Sequence, residues 1–160
     1  MEWLALLLKL GHVLVAFALV AGMVGRWILL TRASRTDDVE HAHLLAEAAS
    51  PFERAVQVSG TAIVVLGLLT AWAQDYPWLG LTTGWMLLSV LLIVPMLVLV
   101  PLVFIPRGRA FASAMDDARA AGQLTEDLRA AWGDRAVALA RRYELAAVTI
   151  IVVLMVLKPF

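Results

Sequence analysis

The chain has 160 residues, 62% of them hydrophobic and 16% charged, with a formal net charge of zero and a mean hydropathy of +0.84. Soluble domains carry roughly a quarter of their residues as charges, so this composition calls for lipid as solvent, and a neutral chain offers nucleic acid no electrostatic footing. Cysteine is absent, which excludes disulfides, thiolate metal sites, iron–sulfur clusters and cysteine nucleophiles together.

A hydrocarbon core of about 30 Å takes about 20 apolar residues in a helix, and four segments meet that need. The first, Leu4 to Leu30, is interrupted by Lys9, His12 and Arg26. Ala16-Phe17-Ala18 resembles a signal-peptide cleavage site, but Met1-Glu2-Trp3 lacks the positive start and the apolar run continues to Leu30, so a retained span is expected. In the connection that follows, Asp37 and Asp38 begin a helix carrying Leu44, Leu45 and Ala48, expected to stop near Ser50-Pro51. His41 and His43 fall in this connection, two residues apart, a spacing that suits a solvated face better than a metal pair.

The second span is Ala55 to Ala73, with Gln57 and Ser59 near its start. Leu81 to Ile105, the third, contains no ionisable residue; Pro95 and Pro101 predict kinks and Pro106 its end. Beyond it, Ala110 to Ala121 reads as a helix closed by Gly122, and Thr125 caps the next turn with Glu126 and Asp127 complementing the helix dipole. Asp134 caps a last helix that runs through Arg141 into a fourth span, residues 142–158. Its uncharged stretch, Leu145 to Leu157, is short, so its end charges must extend toward water.

Ten arginines lie in the two long connections: Arg32, Arg35 and Arg54 in the first, and Arg107, Arg109, Arg119, Arg129, Arg135, Arg141 and Arg142 in the second. The loop from Gln74 to Gly80 has no Lys or Arg, and the tail has only Lys158. By the positive-inside rule the long connections are cytoplasmic and both termini are not. Trp3, Trp72, Tyr76 and Trp78 then gather at the outer interface. The expected fold is an all-α, single-domain, integral membrane four-helix bundle with short cytoplasmic amphipathic helices.

Helices in lipid associate by close approach of small residues. Gly11, Val15, Ala18, Gly22 and Gly25 fall within about 40° of one line at 100° per residue, a packing seam on span one, while span two offers Gly60 and Gly67. At the inner interface Arg26, Glu53, Arg54, Gln57, Arg107, Arg141, Arg142 and Glu144 should form one polar layer, suited to anchoring, ion pairing and contact with anionic lipid headgroups.

Ionisable groups inside a membrane are costly and mark candidate sites. Lys9 and His12 are three apart, on one helical turn. Counted from Leu4, His12 lies about 12 Å and Lys9 about 8 Å below the outer edge. Ser89 and Thr149 fall at the depth of His12 as hydrogen-bond partners, and Asp75 is within reach of Lys9. A bis-histidine b-type haem site needs two intramembrane histidines, and only His12 qualifies, so a second axial ligand would come from methionine, with Met86 best placed by depth, ahead of Met23, Met96 and Met155.

Lys9-Leu10-Gly11-His12-Val13 followed by Arg26 resembles the first helix of a family of bacterial predicted integral membrane proteins, a domain of unknown function. Phe52-Glu53-Arg54 before Gly67-Leu68, Pro106-Arg107, Ala121-Gly122-Gln123-Leu124, and the closing Leu154-Met155-Val156-Leu157-Lys158-Pro159 resemble the same family over nearly the whole chain. That resemblance implies membrane location and four helices. The first helix alone is also similar to copper-resistance-D-like proteins and to the bacterial membrane protoporphyrinogen oxidase, in which lysine and histidine stand close together.

The thin catalytic inventory favours a non-catalytic membrane protein without a cofactor, either an accessory subunit of a membrane complex or a small homo-oligomer held through the glycine seam. The alternative is a haem- or porphyrin-handling redox protein using His12 and Lys9.

Overall fold

The computed structural model describes residues 2–159. They form six helices: α1 (Glu2–Ala33), α2 (Val39–Ala73), α3 (Gly84–Leu99), α4 (Ile105–Ala121), α5 (Glu126–Trp132) and α6 (Arg135–Leu157). A 3-10 turn at Pro77–Gly80 and a π-helical stretch at Val100–Phe104 complete the regular structure, and no strand occurs among the described residues.

The helix ends follow the side chains able to satisfy free backbone groups. Asp38 accepts the His41 N–H at 3.0 Å and starts α2. Thr125 accepts the Leu128 N–H at 3.3 Å, and Asp134 accepts from Ala136 and Val137 at 2.8 and 3.0 Å. Gly122, at φ 67°, closes α4 in the left-handed conformation that a residue without Cβ adopts freely. All four ends lie where composition placed them.

Two expected stops are overruled, both at proline. The helix begun at Asp38 does not end at Ser50-Pro51; it passes through Pro51 to Ala73, 35 residues in all, so the connecting helix and span two are one rod of about 52 Å. Proline keeps a helical φ and withdraws a single donor. Here packing on both sides outweighs that loss, with Val39, Ala42 and Ala49 buried before it and Val56 and Ser59 after it. Nor does Pro106 end span three, because α3, the π-helical stretch and α4 follow one another without a break. The Ile105 N–H reaches back five residues to the Val100 carbonyl. Both prolines fall at this wider turn, Pro101 within it and Pro106 just after it in the first turn of α4.

Three helical stretches are long and apolar enough to cross a membrane: Glu2–Ala33, Val39–Ala73 and Gly84–Ala121. The fourth long helix, α6, has 23 residues but carries Arg141, Arg142 and Glu144 in its first half. α1 and α2 run antiparallel in close contact, Gly11 against Leu66 and Gly22 against Val56 and the Phe52 carbonyl. α3 lies along α6, tied by the Tyr143 hydroxyl, which donates to the Leu92 carbonyl at 2.9 Å. Lys158 lies over the Trp85 ring, 5.5 Å from its centroid, bringing the end of α6 to the start of α3.

At the arginine-rich end the first half of α2, α4 and α5 build a small cap with its own core. Val39, Ala42, Ala114, Met115, Ala118 and Leu128 are buried in it, with Phe111 and Trp132 packed at its margin. A second cluster, Leu19, Met23 and Val56 with Val148 against them, joins α1 and α2 to α6.

Candidate functional site

His12 sits on the face of α1 turned to α2, where Gly67 leaves room for the ring; a Cβ at that glycine would lie 3.1 Å from Cε1. Its Nδ1 is buried without a hydrogen-bond partner, although the ring is turned toward the Ile63 carbonyl. The partners expected for it are engaged elsewhere. Ser89 donates to the Trp85 carbonyl at 2.8 Å and Thr149 to the Leu145 carbonyl at 2.7 Å, each within its own helix. Isolated hydroxyls in lipid satisfy themselves in this way on the carbonyl four residues back.

Met86 does not face His12 either, because its sulfur packs on Gly80 in the turn before α3. Lys9 is exposed and makes no ion pair with Asp75 or any other described residue. A haem held between a histidine and a methionine needs both to face one cavity. His12 packs on Gly67 and Met86 on Gly80, so these two do not form such an axial pair.

The glycine seam is placed unevenly. Gly22 is buried, Gly11 and Gly25 are partly covered by Leu66 and Phe52, and Ala18 is exposed. The face of α1 that meets its neighbours is centred instead on Leu19, Gly22, Met23 and Arg26.

Arg26 leads to the second place. Its Nη2 lies 3.2 Å from Glu144 Oε2 across α1 and α6, with the two residues 7% and 4% exposed. Its guanidinium carbon also stands 5.3 Å from the centroid of the Phe104 ring, a position that the π-helical turn creates. Arg141 and Glu53 act electrostatically on the pair, and Arg141 Nε is buried without an acceptor.

The expected inner polar layer thus divides. Arg26, Glu53, Arg141 and Glu144 come together, Arg54 and Arg142 are exposed, and Arg107 turns to Asp134 at 2.9 Å. The Asp134 carboxyl is held below the usual carboxylate range, first by the Val137 N–H that it accepts and also by Arg107.

Beside the buried pair opens a cleft of about 330 Å³ between the two helix pairs, with Gln57, Phe104, Gly108 and Arg109 in its wall. Phe104, Gly108 and Arg109 did not stand out as site residues, because the π-helical turn that aims them has no signature beyond its prolines. The signal that could have found the pair itself is two opposite charges expected at one depth, Arg26 in an otherwise apolar run and Glu144 where the apolar run of α6 begins.

Residues 6–159 match the family described as predicted integral membrane protein, DUF2269. The chain belongs to the DUF2269 family. It is an integral membrane protein, as the resemblance of its motifs implied. No curated protein matches it, and no solved structure does. For this DUF2269 protein the buried Arg26–Glu144 cluster and its cleft are the candidate site, with His12 a second and separate feature.

Proposed function

We propose that this protein is a non-catalytic, four-span protein of the bacterial inner membrane that serves a membrane complex as an accessory subunit, with its arginine-rich cap in the cytoplasm. The observation that carries the reading is that the two most deeply buried charges of the long helices, Arg26 and Glu144, are engaged with each other. Arg26 and Glu144 tie α1 to α6, and such a bridge holds helices in place. Pairing Glu144 also removes the charge that would keep α6 out of lipid. The cap adds a folded surface outside the membrane, where Arg119 and Glu40 join α4 to α2.

Because the chain has no cysteine, single replacements report topology without background. With a membrane-impermeant maleimide on intact spheroplasts, Asp75→Cys and Pro159→Cys are expected to react, and Glu126→Cys only after permeabilisation. A Pro159→Cys protein that stays protected until permeabilisation would remove the fourth span.

One observation favours a porphyrin-handling role instead, the unpartnered Nδ1 of His12. An absorbance spectrum of the detergent-purified protein separates the two. A colourless protein that still folds as His12→Ala is expected. A Soret band lost in that variant would overturn the non-catalytic reading.

A further inference from the structure

The cleft beside Arg26 has the charge, depth and shape of a ligand site that the accessory role does not require. Arg26 and Arg109 stand in its wall with Glu53 and Glu144, and Arg141, whose charge acts on Arg26, Glu53 and Glu144 from behind that wall, adds a third guanidinium, so the cluster carries one positive charge in excess. An excess guanidinium in a cluster partly withdrawn from water is costly without a further anion, and Arg141 Nε is buried there without an acceptor. A phosphodiester carries the single negative charge that would balance the cluster, and guanidinium forks bind phosphate oxygens in pairs.

Depth points to a lipid as the source of that phosphate. Arg26 is 22 residues beyond Leu4, about 33 Å along the helix, so it lies where a hydrocarbon core of about 30 Å gives way to headgroups. The cleft also does not end at its polar wall. Gln57 belongs both to it and to an open groove of about 680 Å³ along α2, lined by Val58, Thr61, Ala62, Val65 and Leu66. That groove runs away from the charges toward the membrane interior, over about 14 Å between Gln57 and Leu66.

We propose that this cleft binds the phosphate of an anionic membrane phospholipid, with Arg109 and Arg26 as its guanidinium partners and the α2 groove receiving one acyl chain. Gly108 supplies the opening, since a Cβ there would have nothing within 4 Å. A larger side chain at this position would fill the cleft without displacing the helix.

The test is thermal unfolding of the full-length protein in a neutral detergent with phosphatidylglycerol, phosphatidylcholine or glycerol 3-phosphate added. Phosphatidylglycerol alone should raise the melting temperature. Gly108→Leu and Arg109→Gln should melt normally without lipid yet need about tenfold more phosphatidylglycerol for the same rise, the loss expected for one charged hydrogen-bond partner. Arg129→Gln, exposed on α5, should respond like the parent. Equal stabilisation by phosphatidylcholine, or an unchanged response in Gly108→Leu, would overturn the site. If glycerol 3-phosphate stabilised as strongly as the lipid, the phosphate pocket would stand and the lipid assignment would fall.

Discussion

Glu144→Leu is expected to destabilise the protein by about 3–5 kcal/mol, the usual result of removing one partner from a buried ion pair. Arg26→Leu should cost less. The asymmetry follows from the neighbours: Glu144 has guanidiniums of both Arg26 and Arg141 acting on it, so its removal leaves two like charges facing each other. Removal of Arg26 leaves Glu144 with Arg141. The double variant, Arg26→Leu with Glu144→Leu, should recover much of the loss, because an apolar pair of similar volume avoids the desolvation of both charges. Denaturant unfolding of the four proteins in detergent measures the coupling. Equal losses in the two single variants, or strictly additive losses in the double, would show that the pair does not hold α1 to α6.

The second large effect lies in the α1–α2 contact. A Cβ on Gly22 would stand 2.9 Å from Val56 Cγ2, 3.0 Å from the Phe52 carbonyl oxygen and 3.3 Å from the Val56 nitrogen. Two of those three atoms are backbone and cannot turn aside, so Gly22→Leu should cost about 1–3 kcal/mol or more through forced separation of the helices. Gly11→Ala meets only Leu66 at 3.8 Å, an ordinary contact, and Gly60→Ala meets nothing. Both should be neutral or gain about 0.5–1 kcal/mol from better helix propensity. Melting temperatures in the order Gly60→Ala, Gly11→Ala, Gly22→Leu from highest to lowest would match this. A tolerant Gly22 would remove the close approach as the basis of the hairpin.

Much of the helical plan was legible in the chain. Asp38, Thr125, Asp134 and Gly122 act on backbone groups within a few residues, so their effects do not depend on what packs nearby. The prolines misled for the opposite reason. At Pro51 burial of residues on both sides outweighs the lost hydrogen bond, and at Pro106 a wider turn just before it lets the helix continue, neither of which a local signal shows. The glycine seam shows a similar limit: 100° steps placed Ala18 in the middle of the stripe, yet the partner helix lies to one side and leaves it exposed. His12 was legible as an unusual residue but not in its surroundings, since Ser89, Thr149 and Met86 share its depth without sharing its face.

Composition and periodicity alone determined that this is an all-helical membrane protein, where its helices start, and that its positive charge gathers at one end. Those properties belong to single segments and their solvent. Depth counting put Arg26 and Glu144 in one polar layer of eight residues, but only the tertiary structure decided that these two meet, because they are separated by 118 positions. Packing α1 against α6 makes one neutralised contact of the two charges, and the π-helical turn after α3 brings Phe104 and Arg109 to its side.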